Sequence, residues 1–154
     1  MEILFVCTGN TCRSAMSEAI ARQLLATRDL PDVTVSSAGT SAWDGAPASD
    51  GAMLVGIERK LDLSTHRARQ LSPEIVEHAS IILTMGPHHL ERVAALGGAT
   101  KGHLLTDFAE RSHAGRAITD PFGGGLDIYR ATADELERLI GLVLDRFERG
   151  QPAR

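Results

Sequence analysis

The chain has 154 residues, of which 43% are hydrophobic and 23% charged, with a formal net charge of −4. That length predicts a single domain over residues 1–154, large enough to bury a core without disulfide staples. The acidic balance gives no support to nucleic-acid binding, and no apolar run nears the roughly 20 residues of a membrane span.

Only two cysteines occur, Cys7 and Cys12, which excludes a secreted disulfide framework. Glu2 and a four-residue apolar run precede Cys7, so no signal peptide is visible. A cytoplasmic enzyme without a membrane or nucleic-acid partner is expected.

Ile3-Leu4-Phe5-Val6 is a short apolar, β-branched and aromatic run that reads as a buried strand. Residues 14–27 follow with Ala15, Ile20 and Leu24 at helical spacing and Leu25 one step off the stripe. In residues 32–37, Val33 and Val35 alternate with polar neighbours, which predicts a second strand. The chain up to Asp50 is rich in Gly, Ala, Pro and Ser and reads as a surface loop, with Trp43 its one bulky residue. Ser49 or Asp50 is placed to cap a helix running to Lys60, with Met53, Leu54 and Ile57 inward.

Residues 61–70 are polar and irregular. Ser72-Pro73 gives a cap followed by proline at the first helical position. A third strand is expected over residues 80–85, a helix over 87–96 and a fourth strand over 102–106. Residues 107–125 read as loop. Residues 126–149 carry the clearest helix, with Tyr129, Leu136, Leu139, Ile140, Val143 and Phe147 at three- and four-residue steps. Strands alternating with helices predict an α/β fold: a central four-stranded parallel sheet with helices on both faces, in three layers.

The chemistry concentrates in Cys7-Thr8-Gly9-Asn10-Thr11-Cys12-Arg13-Ser14. A loop leaving a strand's carboxyl end and entering a helix presents backbone N–H groups to an anion. Thr8, Gly9, Asn10, Thr11 and Cys12 are placed to aim their N–H groups at phosphoryl oxygens. Gly9 permits a tight turn, and Asn10 tolerates a left-handed backbone. The Arg13 guanidinium suits a bidentate grip on two oxygens. A cysteine beside it, at a helix N-terminus, favours the nucleophilic thiolate. Ser14 is placed to donate to the sulfur.

The bland alternative is that Cys7 is an inert, buried small hydrophobe. A metal site is weakly supported, because neither cysteine forms a CxxC knuckle and the six histidines show no ligand spacing beyond adjacent His88 and His89. GxGxxG is absent, so no dinucleotide fingerprint is present.

Cys-x5-Arg-Ser after the first strand, Ser37-Ala38-Gly39, His66-x-Ala68-Arg69-Gln70 and the late Asp120-Pro121 together resemble the low-molecular-weight protein tyrosine phosphatase family. The resemblance implies that family's fold and a thiophosphoryl-enzyme mechanism acting on phosphorylated proteins. Cys7 is then the nucleophile, Arg13 the clamp and Asp120 the general acid. Asn10, Ser14, Ser37 and His66 match the polar network that shapes the loop, although pattern alone reads Ser37 and His66 as locally satisfied polar residues. No metal or other cofactor is implied, because arginine and backbone N–H groups supply the charge stabilisation.

Within the superfamily, the loop with Thr11 and the Asp120-Pro121-Phe122-Gly123-Gly124 segment look like the bacterial protein arginine phosphatases. Tyrosine-specific members often carry isoleucine at the Thr11 position. A threonine hydroxyl suits a polar guanidinium, while its methyl narrows the slot against a flat phenol. Trp43 and Phe122 are candidate pocket walls, with packing onto the fold the alternative for Trp43. Cys12 is either a redox partner that captures oxidised Cys7 as a disulfide or a filler beneath the loop. Phosphotyrosine hydrolysis, a thiol-dependent arsenate reductase and a non-catalytic phosphate-binding module remain as other readings. The reductase is weakened by the lack of a third cysteine.

Overall fold

The computed structural model describes residues 1–150. Four strands, β1 (Glu2–Cys7), β2 (Thr34–Gly39), β3 (Ile81–Thr84) and β4 (Gly102–Leu104), form one sheet in the order β2-β1-β3-β4. Every pairing is parallel: Phe5 lies opposite Ser37 on one side and Leu83 on the other. The helices are α1 (Arg13–Leu25), α2 (Asp50–Glu58), α3 (Pro73–His78), α4 (Pro87–Val93), α5 (Leu105–Glu110) and α6 (Leu126–Glu148).

Side chains alternate across a strand, and β1 uses both sets. Ile3, Phe5 and Cys7 enter a large core with Met16, Ile20, Leu136 and Ile140, whereas Leu4 and Val6 enter a smaller one with Val76, Ile82 and Val93. The sheet is therefore covered on both faces. That is why its strands read as continuous apolar runs. The long apolar stripe of α6 buries Tyr129, Leu136, Leu139, Ile140 and Val143, as the periodicity predicts. No helix among the described residues is long and apolar enough to cross a membrane.

Two expectations are corrected. The inner face of α2 carries Ala52, Val55 and Gly56, while Leu54 and Ile57 are exposed and Met53 is only partly buried. Small residues face inward because the neighbours leave no room. A Cβ on Gly51 would lie 2.3 Å from the Tyr129 ring, and one on Gly56 2.6 Å from Leu63. The second correction is α5, which occupies Leu105–Glu110 where the sequence reads as the end of a strand and the start of a loop. The helix predicted from Pro87 also changes character, passing into a π-helical segment (Ala94–Gly98) with Gly97 at φ 102°.

The parallel order reverses direction between β1 and β3. In open parallel sheets that reversal opens a crevice at the strands' carboxyl ends. The Cys7–Arg13 loop leaves β1 at this point.

Candidate active site

The loop from Cys7 to Arg13 is anchored from several elements. On the β2 side, Thr40 N–H donates to the Cys7 carbonyl and Ser41 N–H to the Thr8 carbonyl, both at 2.9 Å. Gly39 has no side chain for a steric reason, since a Cβ there would lie 2.4 Å from the Thr8 oxygen and 3.0 Å from the Asn10 nitrogen. Asn10 adopts the left-handed conformation, φ 58°, as its sequence position suggests.

Asn10 is completely buried and fully engaged. Its Nδ2 donates to Ser14 Oγ (2.8 Å) and Ser37 Oγ (2.9 Å), and its Oδ1 accepts the Arg69 N–H at 2.9 Å. Its carbonyl accepts from His66 Nε2 at 2.6 Å, so that imidazole nitrogen carries the proton. Ser37 in turn donates to the Glu18 carboxylate at 2.5 Å, and Glu18 pairs with Arg22. A carboxylate accepts only. With the Arg69 N–H fixing which end of the Asn10 amide faces the serines, the chain has one direction: Ser37 donates to Glu18 and accepts from Asn10, and Ser14 likewise accepts from Asn10. The Ser14 hydroxyl proton is left free to point at Cys7 Sγ, 2.9 Å away, and the Ser14 N–H approaches the same sulfur at 3.4 Å.

Arg13 opens α1 and is 5% exposed. Its Nη1 donates to the Ile118 carbonyl at 3.1 Å, and its Nη2 lies 3.5 Å from Asp120 Oδ2. Its Nε is buried without a protein partner. The segment bearing Asp120 is tied to the sheet by Ile118 N–H donating to the Met85 carbonyl at 2.8 Å. Asp120 itself is half-exposed, and its Oδ1 accepts the Phe122 N–H at 3.1 Å. Asp120 thus stands at the rim while its segment is held at the end of β3.

A cavity of about 320 Å³ joins these parts. The loop contributes Cys7, Thr8, Gly9, Thr11, Cys12 and Arg13; the segment after β2 contributes Ser41, Trp43 and Ala46; Asp120 and Phe122 complete the lining. Trp43 is 84% exposed and Phe122 71%, so both serve as cavity walls and Trp43 does not pack into the fold. A larger polar groove of about 430 Å³ lies behind the loop, along β2 and residues 62–69. Its Arg22 is paired with Glu18, and its Arg69 donates to the Ser37 carbonyl, so it belongs to the loop's support.

Cys12 is buried and unbridged, as is Cys7. Its Sγ lies 3.1 Å from Ser49 Oγ and 3.3 Å from Tyr129 Oη, and those two oxygens are 3.2 Å apart. Burial, followed by the bond to Cys12, pushes the Tyr129 phenol up to about 12, so it stays protonated as a donor. Ser49 also caps α2 by accepting the Ala52 N–H, and its own N–H donates to the Thr11 carbonyl. Through this triangle α2 and α6 hold the Thr11–Cys12 half of the loop.

Every residue singled out from the sequence lies in the cavity or in its hydrogen-bonded support. Glu18, Arg69, Ser49, Tyr129 and His89 escaped that reading. A serine cap at Ser49 and an apolar-stripe tyrosine at Tyr129 were visible, but nothing in their spacing connected them to the loop.

A family model described as low molecular weight phosphotyrosine protein phosphatase matches residues 2–152. The chain belongs to that family. It is 39% identical over 149 residues to the protein-arginine-phosphatase of Geobacillus stearothermophilus, with 97% of each chain covered. The low molecular weight protein-tyrosine-phosphatase PtpB of Staphylococcus haemolyticus is 38% identical, over 92% of this chain and 96% of that one. Among solved structures, the YwlE arginine phosphatase in its cysteine-to-serine form, with a phosphorylated active-site serine, matches with a TM-score of 0.90. Identity there is 35%, with 97% of both chains covered. The α/β sheet described above is accordingly the fold of low-molecular-weight phosphatases.

Proposed function

We propose that this chain is a cysteine-dependent protein phosphatase that hydrolyses phosphoarginine. The observation that carries the chemistry is the meeting, in one cavity, of Cys7 Sγ with its Ser14 donor, the Arg13 guanidinium and the Asp120 carboxyl. The likeness to a protein-arginine-phosphatase over nearly the full chain supports the substrate, as does the polar Thr11 on the cavity lining.

In the first step the Cys7 thiolate attacks phosphorus and a P–S bond forms as the P–N bond breaks. The electron pair goes to the guanidine nitrogen, which takes a proton from Asp120. Arg13 and the loop's N–H groups hold the equatorial oxygens, whose charge they stabilise in the transition state. Water then attacks phosphorus, giving its proton to Asp120, and the electron pair of the broken P–S bond returns to sulfur. The Ser14 hydroxyl and N–H stabilise that sulfur as leaving group. Thr11 is the residue that favours a polar leaving group over a flat phenol. The solved relative phosphorylated on a serine in its active site supports a phosphoryl group carried on the nucleophile.

A second reading, phosphotyrosine hydrolysis, is favoured by the exposed Trp43 and Phe122 rings, which are suited to stacking an aromatic substrate. Thr11→Ile distinguishes the two. The expected result is a loss of phosphoarginine turnover with phosphotyrosine turnover maintained or raised, measured as kcat/KM on matched peptides. Equal loss on both peptides would remove Thr11 as the selector. Cys7→Ser is expected to abolish turnover, and residual activity there would overturn the covalent route.

Cys12 is assigned the role of redox partner. A peroxide oxidises Cys7 to the sulfenic acid, and the Cys12 thiol displaces water to form a disulfide. Dithiothreitol should then restore activity after peroxide treatment, whereas irreversible loss would count against this role.

A further inference from the structure

His89 takes no part in the chemistry above, yet it is fully buried beside the loop. It lies in the first turn of α4, at the carboxyl end of β3. Its Nε2 is 2.8 Å from Oγ1 of Thr8, the residue following Cys7. Its Nδ1 is buried without a partner. The ring leans on His88, with centroids 3.8 Å apart, and Gly86 preserves that packing, since a Cβ there would come within 3.2 Å of His88.

A neutral imidazole carries one proton, and the surroundings decide where it sits. Burial and the positive Arg13 keep this ring neutral, its pKa lowered to about 3. With the proton on Nδ1, a buried N–H would be orphaned and the Thr8 hydroxyl proton would be spent on Nε2. With the proton on Nε2, the ring donates to Thr8 Oγ1 and leaves only a bare acceptor. Orphaned buried donors are the rarer arrangement. The Thr8 hydroxyl proton is then free to turn into the cavity that Thr8 lines.

We propose that His89 is a positioning residue of the phosphate loop: it donates from Nε2 to Thr8 Oγ1, fixes the residue next to the nucleophile, and directs the Thr8 hydroxyl toward a phosphoryl oxygen. This rests on the phosphatase reading. The first half of the loop is held on the β2 side by backbone bonds from Thr40 and Ser41. His89 supplies the matching hold from β3 and α4, on the other side of the crevice. The charged and titratable groups facing the ring are His88 on its own helix, Arg13 on α1 and Asp120 at the rim.

The test compares Thr8→Val, His89→Leu, the double variant and His89→Gln, whose amide nitrogen reaches the place of Nε2. Two readouts are taken: kcat/KM on a phosphoryl peptide, and protection of Cys7 from iodoacetate by inorganic phosphate. Each single loss of the bond should lower kcat/KM about threefold to tenfold and raise the phosphate needed for half-protection by a similar factor. The double variant should be no worse than the stronger single, and His89→Gln should recover most of the loss. His89→Gln should also leave the pH profile in place, because His89 is neutral across the working range.

Losses that multiply in the double variant would overturn the proposal, as would unchanged phosphate protection in Thr8→Val. If His89→Leu fails to fold, Thr8→Val and His89→Gln decide the matter. A chain that turns over no phosphoryl substrate while phosphate protection still shifts in the variants would sink the phosphatase reading and keep the positioning role. An active enzyme with unaffected variants would do the reverse.

Discussion

The Asn10 amide sets the direction of the hydrogen bonds that end at Cys7. The Arg69 N–H donates to its Oδ1, so its nitrogen faces Ser37 and Ser14 and donates to both, while Ser37 donates onward to the Glu18 carboxylate. Asn10→Asp replaces that donating nitrogen with an oxygen that only accepts, which draws the Ser14 proton away from the sulfur. Turnover should fall about tenfold, by roughly 1.4 kcal/mol of transition-state stabilisation. A kcat/KM unchanged from the parent would refute the directional reading. Gly39→Ala acts sterically, placing a Cβ 2.4 Å from the Thr8 carbonyl, so activity should be lost even where the fold survives.

His89 also predicts a pH effect on stability. Its folded pKa, about 3, lies below the unfolded value of 6.5, so the unfolded chain takes up the proton first. Stability from this residue is full above pH 6.5 and declines as the pH falls toward 3, by up to about 1.4 kcal/mol per unit. His89→Gln should flatten that decline in urea unfolding curves collected across the range; an unchanged slope would contradict it. At this scale Cys7 and Arg13 stand out because their residue types and spacing are what phosphoryl chemistry requires, whereas Asp120 enters only through the family resemblance. His89 and Tyr129 reach the loop from distant elements, and Glu18 acts on it through Ser37 of β2; one sequence does not reveal such contacts.

The strands and long helices were readable because burial imposes a period. β1 and β3 are covered on both faces, and α6 shows one broad apolar stripe. For α2 the sequence predicts position and cap correctly but the wrong inward face. Its apolar residues at 53, 54, 55 and 57 surround the helix, and only tertiary crowding by Tyr129 and Leu63 selects the small side. Leu54→Gln and Ile57→Gln should therefore change stability by no more than about 0.5 kcal/mol. Val55→Ala, fully buried, should cost about 2 kcal/mol by thermal or urea unfolding. The opposite ranking would return Leu54 and Ile57 to the core. α5 carries no start signal, because its cap residue is Leu104, with no side-chain cap bond, and Leu104-Leu105 simply continues the apolar run of β4.

Over the whole molecule, the order β2-β1-β3-β4 places α1 and α4 against opposite faces, so the loop after β1 is gripped from two directions. The general class of fold followed from the alternation of strands and helices. The placement of Asp120 beside a loop more than a hundred residues earlier did not; it needed the family resemblance, and the Arg13–Asp120 pair gives that juxtaposition a physical form. The central claim is that this cavity prefers a guanidinium leaving group to a phenol. Peptides with the same flanking residues, one phosphorylated on arginine and one on tyrosine, should be offered together at equal concentration, so that their relative consumption reads the ratio of kcat/KM. The phosphoarginine peptide is predicted to disappear at least about tenfold faster, a difference of roughly 1.4 kcal/mol. Faster consumption of the phosphotyrosine peptide would contradict the account.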